Sequence, residues 1–199
     1  MAGRSSEGVR RAAGVLLAAT LMACAPPGAP PPVPPGSQAP VPLPPMTGAG
    51  DPMRATVTSA AYAFGAPGRL DGRPAEAARA VARLEWLATE LPGDPAWNEA
   101  APITAGLLRR GRDSVRDSIG IPRSLPADAV ARSMIEAAEG LDRGDRQAGA
   151  AALAPVAAGQ GAALLARLDH LPPSREAGSA TAIAYGELIR IGRDTGLNE

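Results

Sequence analysis

The chain has no lysine: every one of its 20 basic residues is arginine, set against 20 acidic residues. Lysine Schiff-base chemistry, a P-loop lysine and a lysine general base are therefore excluded. A single cysteine, Cys24, rules out an internal disulfide and a CxxC site, and a single histidine, His170, rules out His-rich metal coordination. Aromatic residues number only five. What is abundant is alanine, 44 of 199 residues, so about half of the apolar content consists of single methyl groups. Alanine favours helix and buries little area, so the composition predicts a thin core of closely packed helices rather than sheets.

Equal numbers of opposite charges give no field that would gather a polyanion, and nucleic acid is not an expected partner. No GxGxxG, P-loop, HExxH or calcium loop occurs, so neither a cofactor nor a metal is expected.

The N-terminus reads as a targeting segment. Arg4, Arg10 and Arg11 precede an uncharged stretch, Ala12 to Ala23, that carries Val15, Leu16, Leu17, Leu21 and Met22. Twelve helical residues rise about 18 Å, short of the roughly 30 Å hydrocarbon core, so the stretch fits a signal peptide better than a spanning helix. It ends in Leu21-Met22-Ala23-Cys24, which resembles the lipobox of bacterial lipoprotein precursors, with the only cysteine of the chain at the acylated position. The resemblance implies cleavage before Cys24 and attachment of membrane lipid to its thiol and new amine. Ala25, in place of the aspartate that retains enterobacterial lipoproteins at the inner membrane, implies the outer membrane, facing the periplasm. Residues 1–23 are thus expected to be the signal peptide.

Residues 24–50 are expected to form a tether. From Ala25 to Pro45 there are 11 prolines in 21 residues, and no charged residue occurs between Ala12 and Gly50. Such a segment cannot bury a core and predicts an extended polyproline-like spacer.

Residues 51–199 read as one all-α domain of five to seven helices in antiparallel hairpins. Asp51-Pro52 pairs an N-cap with a proline at the first helical position, and the run stops at Gly65. Pro74 opens a second helix with two apolar stripes, Ala77, Val81, Leu84, Ala88 and Leu91 on one and Ala78, Ala82 and Trp86 on the other, which predicts a central position. Asp94-Pro95 starts a third stretch with Pro102 as a candidate break, Pro126 a fourth, Gly144-Asp145 a fifth that Pro155 interrupts or ends, and Leu164 to Leu171 stripe a sixth. Ser174 caps the last. Pro74-Ala75-Glu76-Ala77 recurs as Pro126-Ala127-Asp128-Ala129, which fits either a duplicated hairpin or convergent capping.

Candidates for chemistry are few. Asp169, His170 and Ser174 have the residue types of a nucleophilic triad, but adjacent helical residues point apart and no GxSxG elbow is present. Glu136 and Glu139 lie one turn apart, at spacings that predict ion pairs with Arg132 and Arg143. The cluster Arg109, Arg110, Arg112 and Arg116, interleaved with Asp113 and Asp117, predicts a solvated helix face. Glu85, Glu136 and Arg83 would have to meet across helices to make a polar cluster. Trp86 and Trp97 are the candidate contacts for a partner or ligand, the competing reading being that they fill gaps between small-residue helices. The expected function is that of a lipid-anchored envelope protein acting as a non-catalytic interaction or structural module, with an envelope protein as partner. The alternative is a carrier of a small apolar ligand, and an enzyme ranks below both.

Overall fold

The computed structural model describes residues 40–46, 50–98 and 101–196, and the signal segment, Cys24 and the first part of the tether lie outside them. The described residues form an all-α domain of seven helices without a strand: α1 (Pro52–Phe64), α2 (Pro74–Glu90), α3 (Ala101–Ile119), α4 (Ala127–Asp142), α5 (Arg146–Leu153), α6 (Gly161–Asp169) and α7 (Arg175–Gly196). Short 3-10 turns at Leu91–Gly93, Pro95–Trp97 and Ala154–Val156 make corners. No single helix among the described residues is long and apolar enough to cross a membrane.

Local chemistry sets the boundaries. The Asp51 carboxylate accepts from the backbone N–H groups of Met53 (2.9 Å) and Arg54 (3.2 Å), satisfying donors that the first turn of α1 leaves open. Asp145 accepts from Ala148 N (2.8 Å) at the start of α5, and the Ser174 hydroxyl accepts from Ala177 N (3.0 Å) at the start of α7. Pro102 does not split α3 but sits in its first turn, where the missing N–H costs nothing. Pro155 ends α5 in a 3-10 turn, and the two segments Arg146–Val156 and Gly161–Asp169 meet at 111°.

The helix α2 is the axis of the domain, in contact with α1, α3, α4 and α6. Nine of its 17 residues are buried, five of them alanines, so its neighbours approach from several sides as the two stripes predict. Pairing is antiparallel where the contacts fix direction: Gly178 of α7 lies against Phe64, and Gly192 against Arg54 at the other end of α1. Along α3, Gly111 meets Ala177 while Ser114 meets Ser174. The α7 helix therefore runs between α1 and α3.

The fold begins earlier than residue 51. Pro40 to Met46, expected to belong to the free tether, lies on the domain: Val41 and Pro44 are buried, and Val41 N donates to Glu90 Oε1 (3.3 Å). A proline-rich segment can lie on helices without a sheet partner because most of its residues carry no N–H to satisfy.

Close approach makes Gly111 irreplaceable in α3. A Cβ there would come within 2.9 Å of Ala177 Cα and 3.3 Å of Glu176 O, both backbone atoms that cannot rotate away. A Cβ on Gly186 of α7 meets nothing. Accordingly, Gly111→Ala is expected to lower stability by about 1–3 kcal/mol through overpacking, whereas Gly186→Ala raises it by about 0.5–1 kcal/mol through helix propensity. Urea unfolding of the two variants measures both, and equal responses would contradict the packing.

Candidate functional site

Two charged residues on α2 face opposite ways. Glu85 points into the core towards α3, where Arg116 meets it with two parallel bonds, Nε to Oε1 at 2.6 Å and Nη2 to Oε2 at 2.7 Å. Both side chains are removed from solvent, 0% and 1% exposed. The remaining donors of Arg116, on Nη1, reach the carbonyls of Pro122 (3.3 Å), Arg123 (3.1 Å) and Leu125 (2.9 Å). One guanidinium thus ties α2, the end of α3 and the loop into α4. Burial pushes the Glu85 carboxyl up, against the hydrogen bonds from Arg116 that favour its charge. Both Glu85 oxygens and all three Arg116 nitrogens are engaged, so the pair acts as a structural clasp rather than as a reactive group. Arg116 therefore departs from the solvated face expected for the arginine cluster. Its register shows why: it lies eight residues after Leu108 and three before Ile119, on the apolar stripe of α3.

On its other side α2 floors an open groove of about 950 Å³. Glu76, Arg79 and Arg83 line the floor, Arg54, Thr58 and Ser59 of α1 one wall, and Ile135, Glu139 and Asp142 of α4 the other. Pro44, Pro45 and Met46 close one end. Arg79 bridges Glu76 (2.7 Å) and Asp142, which joins α2 to α4, and Arg54 lies 3.9 Å from Asp51. Arg83 has no such neighbour. Its Nε is buried without a hydrogen-bond partner, and desolvation lowers its pKa, with Glu76 opposing and Arg79 adding to the effect. The sequence held a signal for this: positions three and four residues either side of Arg83 are Arg79, Ala80, Trp86 and Leu87, none of them acidic.

The residues singled out from the sequence fall as follows. Trp97 is 2% exposed and fills the core at its 3-10 turn, while Trp86 is half-buried and packs against the same core. Neither indole lines the groove or the 450 Å³ cleft between Phe64 and Pro173. Asp169 is engaged by Arg146 (2.5 Å), His170 is exposed and Ser174 caps α7, so the three do not converge. Arg132 turns to Asp128 (3.3 Å) rather than to Glu136, because an acid in the first turn of α4 lies within the same reach. Glu136 and Glu139 are both exposed. Glu85, Glu136 and Arg83 are not brought together, since Glu85 is held by Arg116 and Arg83 opens to the groove.

Large apolar side chains at the surface are confined to one layer. Tyr62 on α1, Ile103 on α3 and Ile183, Tyr185 and Ile189 on α7 are the exposed ones among the described residues, and Ile103 is 77% exposed. All belong to α7 and the two helices that flank it. Arg69 lies over the Tyr62 ring, 4.2 Å from its centroid.

At the α3 to α7 seam the Ser174 hydroxyl donates to Ser114 (3.0 Å), whose hydroxyl donates to Glu176 Oε2 (3.0 Å). The backbone N–H of Glu176 and then this hydroxyl hold its carboxyl below the ordinary value. A lowered acid stabilises the fold above its unfolded pKa and loses that contribution as the pH falls through the folded one. Ser114→Ala should move the Glu176 titration upward when followed by NMR, and an unchanged titration would contradict the contact. No protein-family model matches the chain, no curated protein matches it and no solved structure matches it, so the reading of the site rests on its own geometry.

Proposed function

We propose that this chain is a lipid-anchored protein of the bacterial cell envelope, held through Cys24 in the outer membrane and facing the periplasm, that works as a non-catalytic interaction or structural module. The anchor rests on the resemblance of Leu21-Met22-Ala23-Cys24 to a lipobox. The observation that carries the interaction role is the segregation of exposed Tyr62, Ile103, Ile183, Tyr185 and Ile189 onto the α1, α7 and α3 layer. Scattered exposed apolar residues are ordinary on any surface, but their confinement to adjacent helices marks a face suited to a protein partner. The interior points the same way. The fully buried charged pair found among the described residues, Glu85 with Arg116, holds helices and a loop in place, which suits a rigid scaffold.

Crosslinking and affinity capture from native membranes tests this reading. Wild type is expected to retain an envelope protein that Tyr62→Glu/Ile103→Glu loses, with melting of the variant unchanged because these are the two most exposed large apolar side chains among the described residues. Equal capture by both would contradict the face. In the same cells Cys24→Ala should leave the membrane fraction, and continued sedimentation with membranes would contradict the anchor.

A further inference from the structure

The residues of α7 that stay outside the core gather on one arc of the helix. At 3.6 residues per turn, Ser179, Ala182, Ile183, Gly186, Ile189 and Arg190, all exposed, face away from the buried Ala177, Ala184 and Leu188. Gly186 stands at the crown of this arc. A Cβ there meets nothing, so no neighbour within the domain requires a glycine at a position where it weakens the helix.

The exposed isoleucines are placed symmetrically about that glycine. Ile183 comes three residues before it and Ile189 three residues after, so each lies about 4.5 Å away along the axis, turned about 60° to opposite sides of the crown. A two-fold axis through the crown at Gly186 exchanges the two positions. It lays a second α7 antiparallel across the first, with Ile183 of each copy against Ile189 of the other and the two glycines at the crossing, where the missing Cβ atoms let the backbones approach. The same operation sets Ala182 opposite Arg190, a small side chain facing a long aliphatic stem. The Arg190 guanidinium is paired with Glu187 of its own helix (2.8 Å), so the crossing brings no unmatched charge with it. An isologous interface requires this self-complementarity, in which residue i meets j and j meets i.

The flanking helices extend the same surface. From the contact of Gly111 with Ala177, α3 runs antiparallel to α7, so Ile103, eight residues before Gly111, is level with Tyr185, eight after Ala177. The most exposed large apolar side chain therefore stands beside the crossing rather than at the rim. With axes about 8–10 Å apart, the layer of α1, α7 and α3 offers roughly 700 Å² per copy, close to the ~800 Å² per partner of a stable interface.

We propose that α7 pairs antiparallel with α7 of a second copy of this chain about a two-fold axis at Gly186, so that the occupant of the exposed apolar layer is the chain itself. The proposal rests on the reading of that layer as an interaction face and names its partner. An unrelated protein would have no need of isoleucines spaced equally about a glycine.

The test uses the full-length chain in native membranes, oxidised with copper phenanthroline and resolved on non-reducing gels. Wild type, whose only thiol is at Cys24, gives the background. Gly186→Cys is expected to form a disulfide-linked dimer, because the axis brings that residue beside its own copy. Ile183→Cys and Ile189→Cys should each stay at background alone, since like positions are separated by about 9 Å along the axis, beyond disulfide reach. Two differently tagged chains, one with Ile183→Cys and one with Ile189→Cys, should crosslink when co-expressed. Adding Gly186→Leu to both should abolish that crosslink while the chain melts at or above the wild-type temperature, which separates lost pairing from lost fold. A Gly186→Cys chain that remains monomeric, crosslinking of Ile183→Cys with itself as efficient as with Ile189→Cys, or a crosslink that survives Gly186→Leu would each overturn the proposal. If Gly186→Cys stays monomeric while Tyr62→Glu/Ile103→Glu still loses a captured envelope protein, the self-pairing alone falls; if that double variant loses nothing either, the interaction face falls with it.

Discussion

The pairing of Glu85 with Arg116 is the constraint on which the arrangement of the helices depends. It joins the central helix to α3, and through the three carbonyls held by Arg116 it also fixes the loop that delivers the chain into α4. A helical domain with mostly small side chains has few large knobs to specify which helices meet and in what register. Alanine faces slide and rotate against one another at little cost, whereas a fork-to-fork ion pair in a dry interior has one satisfactory geometry. The clasp therefore contributes uniqueness more than net stability. Burial works against the charge on Glu85, and apolar replacements of matching volume would satisfy the same space.

Around that clasp the domain is tightened by backbone contact. Where α3 meets α7 a glycine faces Ala177, and where α4 meets α5 Gly140 faces the backbone of Gly149. Helices brought together this way leave little room inside, so the openings of the molecule lie at its surface. The groove over Arg83 is one such opening and the cleft beside Phe64 another. The two faces of α2 show the contrast. Glu85 has a partner for each oxygen and serves the fold, whereas Arg83, two residues earlier on the opposite side, lines the groove with no hydrogen bond to its Nε.

Much of the helical layout was legible in the sequence because its signals are local. Asp51 and Ser174 cap the helices they were expected to cap, and the double stripe of α2 correctly placed it at the centre. Tertiary pairing was not legible in the same way. Arg116 sits among alternating charges that suggest a solvated face, and only its register with Leu108 and Ile119 marks it as internal. Glu85 carries the same signal, three residues after Ala82 and three before Ala88, yet which arginine would answer it depends on how α2 and α3 cross. Composition also misplaced the start of the fold, because proline content signals the absence of helix but not the absence of contact, and Val41 and Pro44 are buried nonetheless. The isolation of Arg83 was half visible: the sequence shows no acid three or four residues from it on α2, but only the structure shows that Glu76 of α2 and Asp142 of α4 are taken by Arg79 instead.

A double-mutant cycle on Glu85 and Arg116, read by urea unfolding, tests the central claim most directly. If the pair is a clasp, Arg116→Met alone costs about 3–5 kcal/mol by leaving the Glu85 carboxylate buried and unpaired. Adding Glu85→Leu should then recover most of that loss, while the near-ultraviolet spectrum of the double variant loses the sharpness of a uniquely packed core. Losses that simply add, with no recovery in the double variant, would contradict the account.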